Sequence, residues 1–182
     1  MTTPSPASDP PAATAIASPF APALIAHATV IIERAKSLNL KIATAESCTG
    51  GLVAGLLTDI PGSSAVVDRG FVTYSNEAKS EMLRVPAELI SELGAVSGEV
   101  ALAMALGALD ASRADITVAI TGIAGPGGGS DAKPVGLVHF AAARTGCPTL
   151  AVERRFGDLG RAGIRHKSIE QALDLIEAML TI

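Results

Sequence analysis

Ser47, Cys48 and Thr49 stand side by side in the stretch Ala43-Thr-Ala-Glu-Ser-Cys-Thr-Gly-Gly51, and each is a candidate nucleophile or ligand. The apolar run Leu40 to Ala45 before them reads as a buried strand, and the run Leu52 to Leu57 after them as a helix. A reactive side chain in such a place sits at a helix N-terminus, where unpaired backbone N–H groups favour negative charge. A serine hydroxyl needs a base and a site for the developing oxyanion. The amides of Cys48, Thr49, Gly50 and Gly51 are candidates for the second. The plainer reading is that Ser47 or Thr49 caps the helix. Cys48 competes as a nucleophile, because a helix N-terminus depresses a thiol pKa, or it is a small packing residue.

The base is harder to find. His27 falls near the apolar face of the first helix, His139 falls inside a strand, and His166 stands beside Lys167 on the last helix. No ordered Ser/His/Asp arrangement emerges. A lysine serves near neutral pH once burial or nearby cations lower its pKa. Lys79 is the best placed, shortly after Tyr74, the only tyrosine. The alternative is that both are surface residues. Metal ligation finds no support, since two isolated cysteines and three scattered histidines lack zinc-like spacing.

The second strong feature is Thr121-Gly-Ile-Ala-Gly-Pro-Gly-Gly-Gly-Ser130, with five glycines within eight residues. Such a loop lets backbone approach a ligand and present N–H groups to an anion. It lacks the Gly-Lys-Ser/Thr of a P-loop, and Ser130 stands where a dinucleotide fingerprint needs its last glycine. Arg161 and Arg165 are one helical turn apart and form either a clamp for a phosphate or carboxylate, or a solvated pair.

These groups depend on the elements that carry them. Leu24, Ala28, Ile31, Ala35 and Leu38 mark the face of a first helix. Arg69–Tyr74 is expected to be a strand, Asn76 to cap a helix over Glu77–Leu83, and Pro86 to open another to Leu93. Ser97 caps a long Ala-rich helix to about Ser112. Asp115–Thr121, Val135–Ala143 and Thr149–Phe156 read as strands, and Arg161–Leu180 as an amphipathic helix. Early alternation and a late strand pair predict a three-layer α/β/α sandwich with a mixed sheet and an antiparallel late hairpin. Ligands gather at the carboxyl ends of strands in such sheets. The expectation is therefore that Ala45–Gly51, Tyr74–Lys79 and Thr121–Gly129 converge.

The chain has 182 residues, enough for one domain with a substantial core, here residues 23–182. Hydrophobic content is 48% with 3% aromatic, so Ala, Val, Leu and Ile build that core. Residues 1–22 hold six of the 11 prolines and no Lys or Arg, and read as a disordered or loosely packed tail rather than a secretory signal. A net charge of -4 and the absence of a Lys/Arg run argue against nucleic acid as a partner. Two cysteines suit a reducing compartment, hence a cytoplasmic protein, and no apolar stretch is long enough to span a membrane.

Four ordered motifs together resemble one family. Ala-Glu-Ser-Cys-Thr-Gly-Gly at 45–51, Tyr-Ser-Asn-Glu-Ala-Lys at 74–79, Thr-Gly-Ile-Ala-Gly-Pro at 121–126 with Lys-Pro-Val-Gly at 133–136, and Gly-Arg-x-x-x-Arg at 160–165 are similar to the CinA C-terminal domain. That domain also occurs as a stand-alone nicotinamide mononucleotide (NMN) deamidase. The resemblance covers roughly residues 24–180. It implies hydrolysis of the NMN carboxamide to nicotinic acid mononucleotide and ammonia, by a serine–lysine mechanism with no metal or cofactor. It implies Ser47 as nucleophile, Lys79 as general base and Tyr74 as an assisting hydrogen-bond partner. Substrate-facing roles fall on Glu46, Cys48, Thr49, Gly50, Gly51, Asn76, Thr121, Gly122, Gly125, Arg161 and Arg165. The family's large N-terminal domain has no counterpart in this sequence, which implies the free-standing form. Family habit and the Ala-rich helix imply a homodimer. Two alternatives stand beside this reading: a non-catalytic nucleotide-binding or regulatory module, and a Cys48-dependent hydrolase of another small amide.

Overall fold

The structure is a computed structural model and describes residues 17–182. In chain order the elements are α1 (Pro22–Ser37), β1 (Ile42–Glu46), α2 (Leu52–Asp59), a short 3₁₀ turn (Ser63–Ala65), β2 (Val67–Val72), α3 (Asn76–Leu83) and α4 (Ala87–Leu93). They continue as α5 (Gly98–Asp110), β3 (Ile116–Gly122), β4 (Leu137–Arg144), β5 (Leu150–Arg155) and α6 (Gly160–Thr181).

The five strands form one mixed sheet in the order β2-β1-β3-β4-β5. β1 runs parallel to both β2 and β3, while β3–β4 and β4–β5 are antiparallel. From β1 the chain moves out to β2 and then returns past β1 to β3. Right-handed crossovers in opposite directions put their helices on opposite faces. Accordingly α2 lies with α1 and α6 over one face, and α3, α4 and α5 cover the other. The result is the three-layer α/β/α sandwich expected from the sequence. β1 and β3 are neighbours from which the chain departs to opposite sides, and a crevice opens at their carboxyl ends.

The β-branched and alanine-rich strands explain the core. β1 is buried throughout, and its side chains alternate between faces. Ile42 joins the cluster under α1, α2 and α6, whereas Ala43 and Ala45 join the cluster under α5. Alanines on that second face let α5 approach the sheet closely.

Some boundaries differ from expectation. Ser75, not Asn76, caps α3, since its Oγ accepts from the Ala78 amide at 3.0 Å and Asn76 is the first helical residue. Leu38 ends α1 and is exposed, because the helix stops before that position turns inward. The expected tail lies mostly in residues 1–16, outside the described residues. Its last part is docked: Ser18 Oγ donates to Asp59 Oδ2 at 2.6 Å and Phe20 packs against the core.

Candidate active site

Ser47 follows the last residue of β1 and prolongs its register, since its amide donates to the Ile120 carbonyl at 2.9 Å. Alternation then decides two fates. The Glu46 side chain turns to the α2 face and the Ser47 side chain to the face of α3. There Ser47 Oγ lies 3.1 Å from Nζ of Lys79.

Lys79 is placed by α3. It and Leu83 are one helical turn apart and are the buried residues of that helix. Lys79 is 1% exposed, and its Nζ donates to the Thr73 carbonyl at 2.9 Å and the Ser75 carbonyl at 3.3 Å. No carboxylate forms an ion pair with it among the described residues. Burial lowers its pKa from the usual 10.5, opposed by weaker attractions from Cys48 and Glu77.

A cleft of about 240 Å³ opens above Ser47. Ser47, Cys48, Tyr74 and Arg161 line it together with the backbone of the glycine loop, including Gly122 and Gly125. Residues from the ends of β1, β2 and β3 thus meet in one cleft, as the strand-end argument requires. Arg161, near the start of α6, spans it: Nη1 donates to the Gly125 carbonyl at 3.1 Å and Nη2 to the Tyr74 hydroxyl at 3.1 Å. Tyr74 itself is 60% exposed.

The turn after Ser47 does not offer four amides. Gly50 N donates to the Ser47 carbonyl at 3.0 Å and Gly51 N to Glu46 Oε2 at 3.0 Å. Among the described residues, only the amides of Cys48 and Thr49 in this turn have no oxygen acceptor. Gly51 adopts φ +91° at the N-cap of α2, a left-handed conformation that side chains disfavour. Neither Ser47 nor Thr49 caps α2. The Thr49 hydroxyl is buried without a partner, and the carboxylate of Glu46 caps the helix instead.

Several expected substrate contacts need correction. Glu46 has no exposed surface and is occupied inside the protein. Thr49 is fully buried, and the Thr121 hydroxyl donates to the Ala95 carbonyl at 2.7 Å, outside the cleft lining. Asn76 lines a separate depression between α3 and α4. Arg165 turns away from the cleft and donates to the Thr49 carbonyl at 2.8 Å, bracing the turn beside Gly50. The Cys48 thiol is not depressed by the helix N-terminus. Burial pushes it up to about 12, with the Glu46 charge adding to the rise.

The histidines stand elsewhere. His27 pairs with Glu177 at 3.0 Å, His139 lies 3.8 Å from Glu153, and His166 lies 3.4 Å from Glu170. Among the described residues no cluster of three His, Cys, Asp or Glu side chains forms, and no helix is long and apolar enough to cross a membrane. Sequence reasoning missed the capping role of Glu46 and the anchoring carbonyl of Thr73. The parity of β1 carries a signal for the first; the second depends on tertiary packing alone.

This arrangement defines an α/β domain with a buried Ser–Lys contact at the switch point of a mixed sheet. A family model, the CinA C-terminal domain, matches residues 25–180, and the chain belongs to that family. It is 51% identical over 155 residues to a CinA-like protein of Synechococcus sp. (strain RCC307), an alignment that covers 84% of this chain and 37% of that protein. It is 59% identical over 106 residues to the nicotinamide-nucleotide amidohydrolase PncC of Escherichia coli (strain K12), covering 58% of this chain and 64% of the relative. The chain therefore spans little more than a third of the CinA-like relative and under two thirds of the amidohydrolase. Among solved structures, the competence/damage inducible protein CihA from Agrobacterium tumefaciens superposes with a TM-score of 0.89 at 53% identity. That match covers 91% of this chain and 100% of the other.

Proposed function

We propose that the chain is an amidohydrolase that converts nicotinamide mononucleotide to nicotinic acid mononucleotide and ammonia. The single observation that carries the chemistry is the buried contact of 3.1 Å between Ser47 Oγ and Lys79 Nζ at the foot of the cleft. The name of the E. coli relative supports the substrate.

The proposed steps use that contact. Neutral Lys79 takes the Ser47 Oγ proton as Oγ attacks the carboxamide carbon. The amide of Cys48, which lines the cleft, receives the oxyanion, and a single such donor is worth roughly 100- to 1000-fold in rate. Protonated Lys79 then gives its proton to the departing ammonia. Water enters and resolves the acyl-enzyme by the same roles in reverse. A cleft of about 240 Å³ suits the pyridine carboxamide. It is smaller than the roughly 300–1,000 Å³ typical of pockets for larger ligands. The ribose phosphate extends past the glycine loop toward Arg161.

Ammonia release from NMN tests this reading. Wild-type protein is expected to release ammonia and Ser47→Ala to release none above the blank. Equal rates in the two would reject it. A thiol mechanism is disfavoured, because a Cys48 pKa near 12 leaves little thiolate at neutral pH.

A further inference from the structure

The residue before the nucleophile is a carboxylate with an unusual set of partners. Glu46 Oε1 accepts from Thr44 Oγ1 at 3.1 Å and from the Ala54 amide at 2.8 Å. Its Oε2 accepts from the Gly51 amide at 3.0 Å and the Val53 amide at 3.1 Å. The side chain has no exposed surface, and no cation pairs with it among the described residues. A buried charge without a counter-ion is costly, and here helix amides and the α2 dipole offset that cost.

The consequences reach the cleft. Gly51, Val53 and Ala54 amides go to Glu46, Leu52 N turns to the Thr49 carbonyl at 3.4 Å, and Gly55 N to the Gly51 carbonyl at 2.8 Å. The N-terminus of α2, ordinarily a ready anion site, is consumed from within. An oxyanion or a substrate phosphate finds no free donor there. Among the described residues the two amides next to Ser47 take no oxygen acceptor, and of these two residues Cys48 lines the cleft. Opposite faces of one strand also link the two side chains: pinning Glu46 to α2 fixes the backbone that aims Ser47 Oγ at Lys79.

We infer that Glu46 is a positioning residue of the Ser47 site. Its carboxylate holds the 47–51 turn, excludes external anions from α2, and leaves the Cys48 amide at the cleft wall as the oxyanion donor. The inference rests on the amidohydrolase reading for its catalytic meaning, though the geometry it invokes does not need a substrate.

Glu46→Gln tests it, since glutamine keeps the shape but turns an N–H₂ toward amides that need an acceptor. Measured well below the melting temperature of each protein, kcat for NMN is expected to fall about 10- to 100-fold, as for lost supporting contacts elsewhere. KM is expected to stay within about threefold, because nothing that touches bound substrate is removed. A kcat within about twofold of wild type, or a loss confined to KM, overturns the inference. Should Glu46→Gln fail to fold, Glu46→Asp, one methylene shorter, is read by the same criteria. If wild type releases no ammonia from NMN, the functional reading fails and a second measurement decides. Iodoacetamide labelling of Cys48 at pH 9, resolved by mass spectrometry against Cys147 in the same chain, needs no activity. Glu46→Gln is expected to speed Cys48 labelling several-fold by loosening the turn and removing a neighbouring negative charge, and an unchanged ratio overturns the inference.

Discussion

Lys79 Nζ and Ser47 Oγ lie 3.1 Å apart, brought together by a strand end and a helix that are 32 residues apart in the chain. Both groups are buried, and the nitrogen is held by the carbonyls of Thr73 and Ser75 rather than by a carboxylate. The contact predicts that Ser47→Ala and Lys79→Met each lower kcat for NMN hydrolysis by about 1,000-fold or more, as for members of other nucleophile–base units. Lys79→Arg is expected to be as inactive as Lys79→Met, because a guanidinium does not give up its proton to become a base. Steady-state ammonia release measures both.

The same burial predicts a pH dependence with a definite sign. Desolvation places the Lys79 pKa below 10.5 in the folded protein. Only the neutral amine accepts the serine proton, so kcat/KM is expected to rise with pH and level off below pH 10.5. For stability, the unfolded chain binds the proton more tightly than the folded one. Stability from this group is therefore full above the unfolded pKa and lost as pH falls through the folded pKa. Denaturant titrations of wild type and Lys79→Met at several pH values check this: the wild type gains on the variant between neutral pH and 10.5. A flat difference would contradict the burial argument.

Much of this site is legible in the sequence. The strand-to-helix passage around Ser47, the second strand end at Tyr74 and the glycine loop after a β-branched strand each carry a local pattern. The rule that ligands gather at strand carboxyl ends joins them. Lys79 is legible too, from its place in the turn and helix that follow Tyr74. What failed was the assignment of individual polar groups. Glu46 and Thr121 were expected to face the substrate, yet a buried polar group first satisfies itself internally. Glu46 takes the amides of α2, and Thr121 takes the Ala95 carbonyl. Those partners lie 5 and 26 residues away, so no local pattern announces the second. Arg165 was paired with Arg161 by helical spacing, but only Arg161 lines the cleft.

Cys48 lines the cleft beside Ser47 but is 5% exposed, with its thiol pKa pushed up to about 12. Its backbone amide matters to the proposed chemistry and its sulfur does not. Cys48→Ala is expected to keep kcat within about tenfold of wild type, the change tracking a small packing defect rather than a lost nucleophile. In site-resolved alkylation at pH 8, half-buried Cys147 is expected to react well before Cys48. Loss of activity in Cys48→Ala with retained activity in Ser47→Ala would reverse the assignment of nucleophile.

Arg161 joins the glycine loop to β2's end through Gly125 and Tyr74. Two donors of one planar fork serve two acceptors, a geometry lysine does not reproduce. Arg161→Lys and Arg161→Ala are both expected to lower kcat/KM by roughly 10- to 150-fold, the range that follows from about 1.5–3 kcal/mol for a hydrogen bond to a charged group. Tyr74→Phe removes only one of the two bonds and is expected to show a smaller loss. Ammonia-release kinetics across a substrate range separates the variants, and full activity in Arg161→Lys would remove the bridging role.

Lys79 also depends on a contact far from the cleft. Gly107 lies within α5, where a Cβ would collide with the backbone carbonyl of Leu83, the last residue of α3. Backbone does not yield as a side-chain tip does, so Gly107→Ala must push α3 and α5 apart. Overpacking of this kind costs about 1–3 kcal/mol, or roughly 2–12 °C in Tm for a domain of this size. Because α3 carries Lys79 one turn before Leu83, the displacement lengthens the contact with Ser47. Activity is expected to fall at temperatures where the variant is still folded. Gly55 in α2 supplies the contrast: a Cβ there meets only Phe20 Cζ at 3.6 Å, an ordinary contact. Gly55→Ala is expected to raise stability by about 0.5–1 kcal/mol through helix propensity and to leave kcat unchanged. Thermal melts and kinetics on the two variants decide the matter, and equal behaviour would show that close packing of α5 on α3 does not set the position of Lys79.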